Sequence, residues 1–176
     1  MKKLTLIAMV SLLTLGAMAQ NTQTATYRID DMHCRKCSDR IQKSLSQVAG
    51  VDTVVPRIGK HTVAVTYQTA KTSRDAIRQT ITEAGYTPCN YLQGSEGGYA
   101  YLLLPAEQAT LQTEKTVMLI DGVADVNVNA RRKAMAVTYH ADRLTADQLL
   151  AAIQASGINA QLPKPHVCSE EEEKKK

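Results

Sequence analysis

The chain has 176 residues, 44% of them hydrophobic, with seven Tyr but neither Trp nor Phe, and a formal net charge of +4 at pH 7. Two of those charges are Lys2 and Lys3 at the extreme N-terminus, so the rest of the chain is close to neutral. No basic patch is interleaved with stacking aromatics, which argues against a nucleic-acid-binding protein.

Lys2 and Lys3 precede a run from Leu4 to Gly16 that is apolar apart from Thr and Ser, and Ala17-Met18-Ala19 supplies small residues where a signal peptidase reads. The run is shorter than the ~20 residues needed to span a bilayer. Residues 1–19 are therefore expected to be a signal peptide. The mature chain is expected to be exported, periplasmic or secreted, with no stable membrane insertion after cleavage. Its roughly 157 residues fit one domain or two small ones.

In chain order, Asn21 to Ala25 reads as a flexible lead-in and Tyr27 to Asp30 as a short first strand. From Ser38 the apolar residues Ile41, Leu45 and Val48 recur at helical spacing until Gly50. Val51 to Ile58 reads as a strand, with Pro56 marking it as an edge strand because proline cannot donate to a ladder. His61 to Tyr67 alternates as a half-buried strand does. Ser73 and Asp75 open a second helix carrying Ile77 and Ile81, which Gly85 closes. Tyr86 to Cys89 begins a last strand. The order β-α-β-β-α-β is the split βαβ, or ferredoxin-like, arrangement.

Gln93 to Gly98 reads as a flexible linker by composition. Beyond it the pattern repeats. Strands are expected at Tyr99 to Leu104, Val123 to Val128, Lys133 to Tyr139 and near Ile158 to Leu162, with helices at about Glu107 to Leu119 and Thr145 to Ser156. At an ungapped offset of 72 residues, Ala64-Val65-Thr66-Tyr67 matches Ala136-Val137-Thr138-Tyr139, and Gly50-Val51 matches Gly122-Val123. The expected fold class is α+β: two tandem ferredoxin-like βαββαβ domains, each a four-stranded antiparallel sheet with two helices. They are placed at 24–91 and 98–163, joined by a linker at 92–97 and followed by a disordered charged tail at 164–176.

Chemistry concentrates in Met32-His33-Cys34-Arg35-Lys36-Cys37. Two Cys straddling a helix start bring both sulfurs to one end of the domain, where free backbone N–H groups and the helix dipole favour a thiolate. Arg35 and Lys36 push the same way. Two thiolates with no third Cys nearby suit a low-coordinate soft ion such as Cu(I) better than a structural zinc, which usually takes four ligands. At the ungapped offset Cys34 falls on Ala106 and Cys37 on Ala109, so a single site is expected. Met32 and His33 precede the pair within reach of ligating an ion, but Met32 reads chiefly as a core side chain and His33 as an exposed loop residue.

The motif on this frame resembles the heavy-metal-associated domain family, over about residues 26–88. That family includes copper chaperones, the N-terminal domains of copper-transporting P-type ATPases and periplasmic mercury-binding proteins. Asp31 stands where the family usually has a glycine. The resemblance implies Cys34 and Cys37 as the metal thiolates, with Met32 and Tyr86 as neighbouring candidates behind them. It implies Cu(I) as cargo, with Hg(II), Ag(I) or Zn(II) as other possibilities, and a metal donor or acceptor partner such as a metal-transporting P-type ATPase or another metal-binding domain. The second half resembles a degenerate copy without the Cys pair, used for docking or spacing or simply retained.

Cys89 and Cys168 suggest a disulfide tying the tail back, or else His166 and Cys168 form an auxiliary metal-capturing arm, or both thiols are unremarkable. His61 and His140 read as exposed. The function implied is an exported, non-enzymatic metal carrier, chaperone or scavenger that exchanges its ion through the thiolate pair. The alternative is a thiol–disulfide oxidoreductase using the same two residues.

Overall fold

The computed structural model describes residues 21–94 and 96–163. The expected signal peptide at 1–19 and charged tail at 164–176 lie outside the described residues, as do His166 and Cys168. Among the described residues, no helix is long and apolar enough to cross a membrane.

The first half contains β1 (Thr22–Arg28), α1 (Arg35–Leu45), β2 (Val51–Arg57), β3 (Thr62–Gln68), α2 (Arg74–Glu83) and β4 (Cys89–Asn90), forming an antiparallel sheet in the order β2-β3-β1-β4. The apolar pattern dictates its core. Ile41 and Leu45 in α1, and Ile77 and Ile81 in α2, are spaced by four and so share a helix face. All four are fully buried against Tyr27, Val63, Val65 and Tyr67 of the sheet. Ser73 caps α2 by accepting from the Ala76 N–H at 3.2 Å, as an N-cap serine does. Pro56 lies on β2, at the sheet edge, as its missing donor requires.

Residues 22–25 belong to β1 and are not a lead-in. The polar side chains of Thr22, Gln23 and Thr24 suit a strand that is bonded to β3 along its whole length but meets β4 only at Tyr27 and Arg28. Thr24 and Thr66 also meet across the strands, hydroxyl to hydroxyl at 3.0 Å, a pairing that favours the ladder.

The second half contains β5 (Gly97–Leu103), α3 (Leu111–Met118), β6 (Val123–Asn129), β7 (Ala134–His140) and α4 (Ala146–Ala155). Three expectations change here. The linker ends earlier, because Gly97 and Gly98 pair with His140 and Tyr139 inside β5. A side chain at Gly98 would run into the Tyr139 ring, so glycine is a packing requirement there and not a mark of flexibility. The sheet has three strands, β5-β7-β6. In place of a closing strand at 158–162 there is a single bridge between Leu103 and Gln161. Finally, α3 begins at Leu111 and not near Glu107: Ala106–Gln108 form a 3-10 turn, and Thr110 caps the helix.

The second sheet is covered on both faces. Val126, Met135, Val137 and Tyr139 pack into its own core beneath the helices. The alternate residues Asp125, Asn127, Asn129 and Thr138 are also buried, and they bond to the first half. Asp125 accepts from Arg78 at 2.8 Å and from the Asn90 N–H at 2.7 Å. Asn127 donates to the Pro88 carbonyl at 2.8 Å, and Thr138 to the Asn90 carbonyl at 2.6 Å. Arg78 also reaches the Val126 carbonyl and lies 3.6 Å from Glu114. Tyr99 closes the connection by accepting from the Leu92 N–H and donating to the Leu92 carbonyl. The second half docks on α2 and β4 of the first.

Candidate metal centre

The loop from Ile29 to Cys34 leaves the end of β1 and feeds α1. Met32 is fully buried in the core and its N–H donates to the Ile29 carbonyl at 3.1 Å, so this side chain pins the loop and offers no ligand to solvent. Cys34 is the N-cap of α1, in an extended conformation, and its carbonyl accepts from the Cys37 and Ser38 N–H groups, both at 3.1 Å. No acidic side chain occupies the first turn of α1, so its free N–H groups and positive dipole end meet the two sulfurs without competition.

The sulfurs of Cys34 and Cys37 lie 2.8 Å apart, and both thiols are free. Cys34 is exposed and Cys37 half-buried. The Cys37 thiol is held below its ordinary pKa, chiefly because the Cys34 thiol donates to it. Partial burial opposes the shift, while the Tyr86 phenol and the backbone N–H groups of Cys34 and His33 add to it. Burial, and then the Cys37 sulfur, push the Tyr86 phenol up to about 12, so it stays protonated at neutral pH and available as a donor.

Tyr86 is brought to the sulfur by the end of α2. Gly85, at φ +93°, turns the chain out of the helix, and the Tyr86 N–H closes back on the Ile81 carbonyl at 3.2 Å, the geometry of a glycine C-cap. Asp31 is buried nearby and accepts from the Thr87 N–H at 3.3 Å and the Thr87 hydroxyl at 3.1 Å. It ties the metal loop to the segment after Tyr86. Burial raises its carboxyl pKa, while the Thr87 hydrogen bonds and the charge of Arg132 work against that rise.

His33 is exposed, with its ring 5.5 Å from that of His61 in an edge-on arrangement. His61 and His140 are half-buried and not exposed as expected. Cys89 is buried, its thiol donates to the Arg28 carbonyl at 3.7 Å, and burial pushes its pKa up to about 12, which makes it inert as a ligand. Its suggested partner Cys168 lies outside the described residues. Among the described residues no three His, Cys, Asp or Glu side chains gather as a metal-binding group, so the soft donors at this site are two.

Comparing the two helix starts shows where the cysteines have counterparts. Thr110 is the N-cap of α3 as Cys34 is of α1, and Thr113 matches Cys37 in the first turn. The ungapped offset pointed to Ala106 and Ala109 instead, four residues early, because α3 has 8 residues where α1 has 11 and the turn after it is one residue shorter. Sequence reasoning also missed Asn129, Arg131 and Arg132, which reach the α2 end of the site from the second half. Only the adjacent pair of arginines in a turn hinted at them.

Residues 26–87 match the family profile described as "Heavy-metal-associated domain". A copper-exporting P-type ATPase of Staphylococcus saprophyticus is 26% identical over 149 residues, which cover 85% of this chain and 18% of the ATPase. The human copper-transporting ATPase 2 is 23% identical, with 84% of this chain and 12% of that protein covered. The chain thus spans less than a fifth of the length of these curated relatives. Among solved structures, oxidized MerP from Ralstonia metallidurans CH34 is 33% identical, with 38% of this chain and 93% of that one covered and a TM-score of 0.37. The profile match covers the strand, loop and helix that hold the Cys pair, so a heavy-metal-associated domain is found at residues 26–87.

Proposed function

We propose that this chain is an exported carrier or scavenger of a soft metal ion, Cu(I) first, holding one ion between Cys34 and Cys37 and passing it on by ligand exchange. The observation that carries this is the pair of adjacent free thiols at the start of α1, with Cys37 biased toward thiolate and Cys34 open to solvent. Soft thiolates select soft ions, and two-coordinate binding leaves room for an incoming ligand. The sulfurs must part to admit the ion, since a metal–sulfur bond is about 2.3 Å long, and exposed Cys34 is the one free to move.

In the exchange step an acceptor thiolate forms a sulfur–metal bond as the Cys34–metal bond breaks. The released Cys34 thiolate takes a proton from solvent, and no electron is transferred. The copper-transporting relatives suggest such an ATPase, or another two-thiol metal-binding domain, as donor or acceptor. Export is supported by the leader pattern at residues 1–19. The second half is read as a degenerate copy of the first, on the strength of its repeated element order.

The test is transfer. Cu(I)-loaded chain is mixed with a separable metal-free two-thiol domain and copper is followed in each fraction. Equilibration between the two within minutes supports the carrier, and copper that stays with the chain or appears as free ion contradicts it. The 2.8 Å approach of two thiols also favours a redox use. Insulin reduction by the wild type but not by the Cys34→Ser/Cys37→Ser variant would establish that second activity.

A further inference from the structure

The C-terminal end of α2, which Tyr86 follows, is capped by the other half of the chain. A helix leaves its last carbonyls without internal partners and favours cations there. Yet α2 has no basic residue in its last turn. The turn between β6 and β7 supplies what is missing. Arg131 donates to the Glu83 carbonyl at 3.2 Å, Arg132 Nε to the Gly85 carbonyl at 2.6 Å, and Asn129 Nδ2 to the Tyr86 carbonyl at 2.8 Å. Asn129 Oδ1 in turn accepts from the Arg131 and Arg132 backbone N–H groups at 3.1 and 3.3 Å, so the same side chain also ties the turn to itself.

Arg132 makes two further contacts that the other side chains of this turn do not. Its guanidinium lies over the Tyr86 ring, 5.7 Å from the centroid. Its Nε is 3.9 Å from the buried Asp31 carboxylate, and its one proton is already given to Gly85, so the latter contact is purely electrostatic. A flat, permanently charged group is suited to bonding a carbonyl, covering a ring and facing a carboxylate at once. Cys37 packs against the core cluster that contains Tyr86, whose phenol helps hold its thiol pKa down, and Asp31 anchors the loop that carries Cys34 to Thr87.

We propose that Arg132 is a positioning residue for the metal site: the second half of the chain, which lacks the cysteines, holds Tyr86 and Asp31 in place behind Cys34 and Cys37 and thereby slows release of the ion. This gives the second half a task within one molecule, and it rests on the function proposed above. The second half acts as a brace on the site, with the strongest leverage at one side chain.

The experiment measures the rate at which Cu(I) passes from the full chain to a colorimetric chelator. Arg132→Ala is expected to accelerate transfer about tenfold, the size of a coupling between contacting residues. Arg132→Lys, which keeps the charge but not the flat stacking, should restore part of the difference. Arg131→Ala removes a cation from the same turn without touching Tyr86 or Asp31, and should stay within about twofold of wild type, as a lone exposed contact does. In a Tyr86→Phe background, Arg132→Ala should lose most of its effect, because the link from the ring to the sulfur is gone.

A change below twofold in Arg132→Ala overturns the proposal, as does equal acceleration by Arg131→Ala or full additivity with Tyr86→Phe. The metal-free chain gives an independent answer. The amide resonances of Met32 to Cys37 should shift in Arg132→Ala and not in Arg131→Ala, and unmoved resonances overturn the brace. If the wild type binds no Cu(I), the function fails while these resonances still decide the brace.

Discussion

The hydroxyls of Thr110 and Thr113 stand 3.4 Å apart at the start of α3, in the places that the sulfurs of Cys34 and Cys37 occupy at the start of α1. Thr110 is spent as a helix cap, accepting from the Thr113 N–H at 3.3 Å, and the Thr113 hydroxyl donates to the Gln108 carbonyl. The same two helix positions in the second half thus carry hard, already bonded oxygens, which soft ions disfavour.

This correspondence predicts where a second site can be built. Thr110→Cys/Thr113→Cys should raise Cu(I) stoichiometry from one ion per chain to two. Ala106→Cys/Ala109→Cys, the pair named by the ungapped repeat, should leave it at one, because Ala106 lies in the preceding 3-10 turn and Ala109 is buried before the cap. Mass spectrometry of the loaded variants reads both.

Tyr86→Phe removes the phenol that helps hold the Cys37 thiol below its ordinary value. The thiol should move up toward the ordinary range near 8.5. At neutral pH less thiolate is then present, and alkylation of Cys37 should slow by about two- to fivefold. An unchanged rate would remove Tyr86 from the site. Metal binding displaces thiol protons, so in wild type and variant alike Cu(I) affinity should fall as pH is lowered.

Asp31 gives the clearest pH signature of stability. Burial raises its carboxyl pKa in the folded chain, so the folded state binds its proton more tightly than the unfolded state does. That stabilises the fold fully below the ordinary carboxylate value, about 3.9, and the contribution is lost as pH rises through the raised folded value. Asp31→Asn cannot titrate. Its stability relative to wild type should therefore be least favourable in acid and improve steadily toward neutral pH, as denaturant midpoints at several pH values would reveal. A difference independent of pH contradicts the burial-driven shift.

Docking of the two halves turns on Arg78, which meets Asp125, Glu114 and the Val126 carbonyl. Arg78→Ala leaves the buried Asp125 carboxylate with only the Asn90 N–H recorded as a partner. Stability should fall by roughly 3–5 kcal/mol, as expected when one member of a buried pair is removed. A loss below about 0.5 kcal/mol, the scale of an exposed pair, would show that the interface does not bury the charge.

Much of this was legible in the sequence wherever apolar periodicity is strong. Ile77 and Ile81, and the alternation of Val63, Val65 and Tyr67, specified α2 and β3 directly. The ungapped repeat then gave β6, β7 and α4, whose spans sit at the same offset from β2, β3 and α2. What failed depended on partners distant in sequence. The polar start of β1 is held by β3, and Gly97 and Gly98 are recruited into β5 by β7. The α3 start moved because the helix is three residues shorter and the turn after it one residue shorter, a gap that a fixed offset cannot see.

The site divides in the same way. The Cys pair and the helix start between them were legible because spacing and dipole are local. Asp31 was visible as a departure from the family's glycine, but its partners Thr87 and Arg132 were not. The polar alternation of Asp125, Asn127 and Asn129 reads like a solvated strand face. Only the docked first half makes it a buried interface.

The central claim is one soft ion held by Cys34 and Cys37, and its most direct test is stoichiometry. The reduced chain is titrated with Cu(I) against a competing chelator, beside the Cys34→Ser/Cys37→Ser variant. One tightly held equivalent in the wild type and none in the variant is the predicted result. Equal binding by both chains, or two equivalents in the wild type, would contradict it.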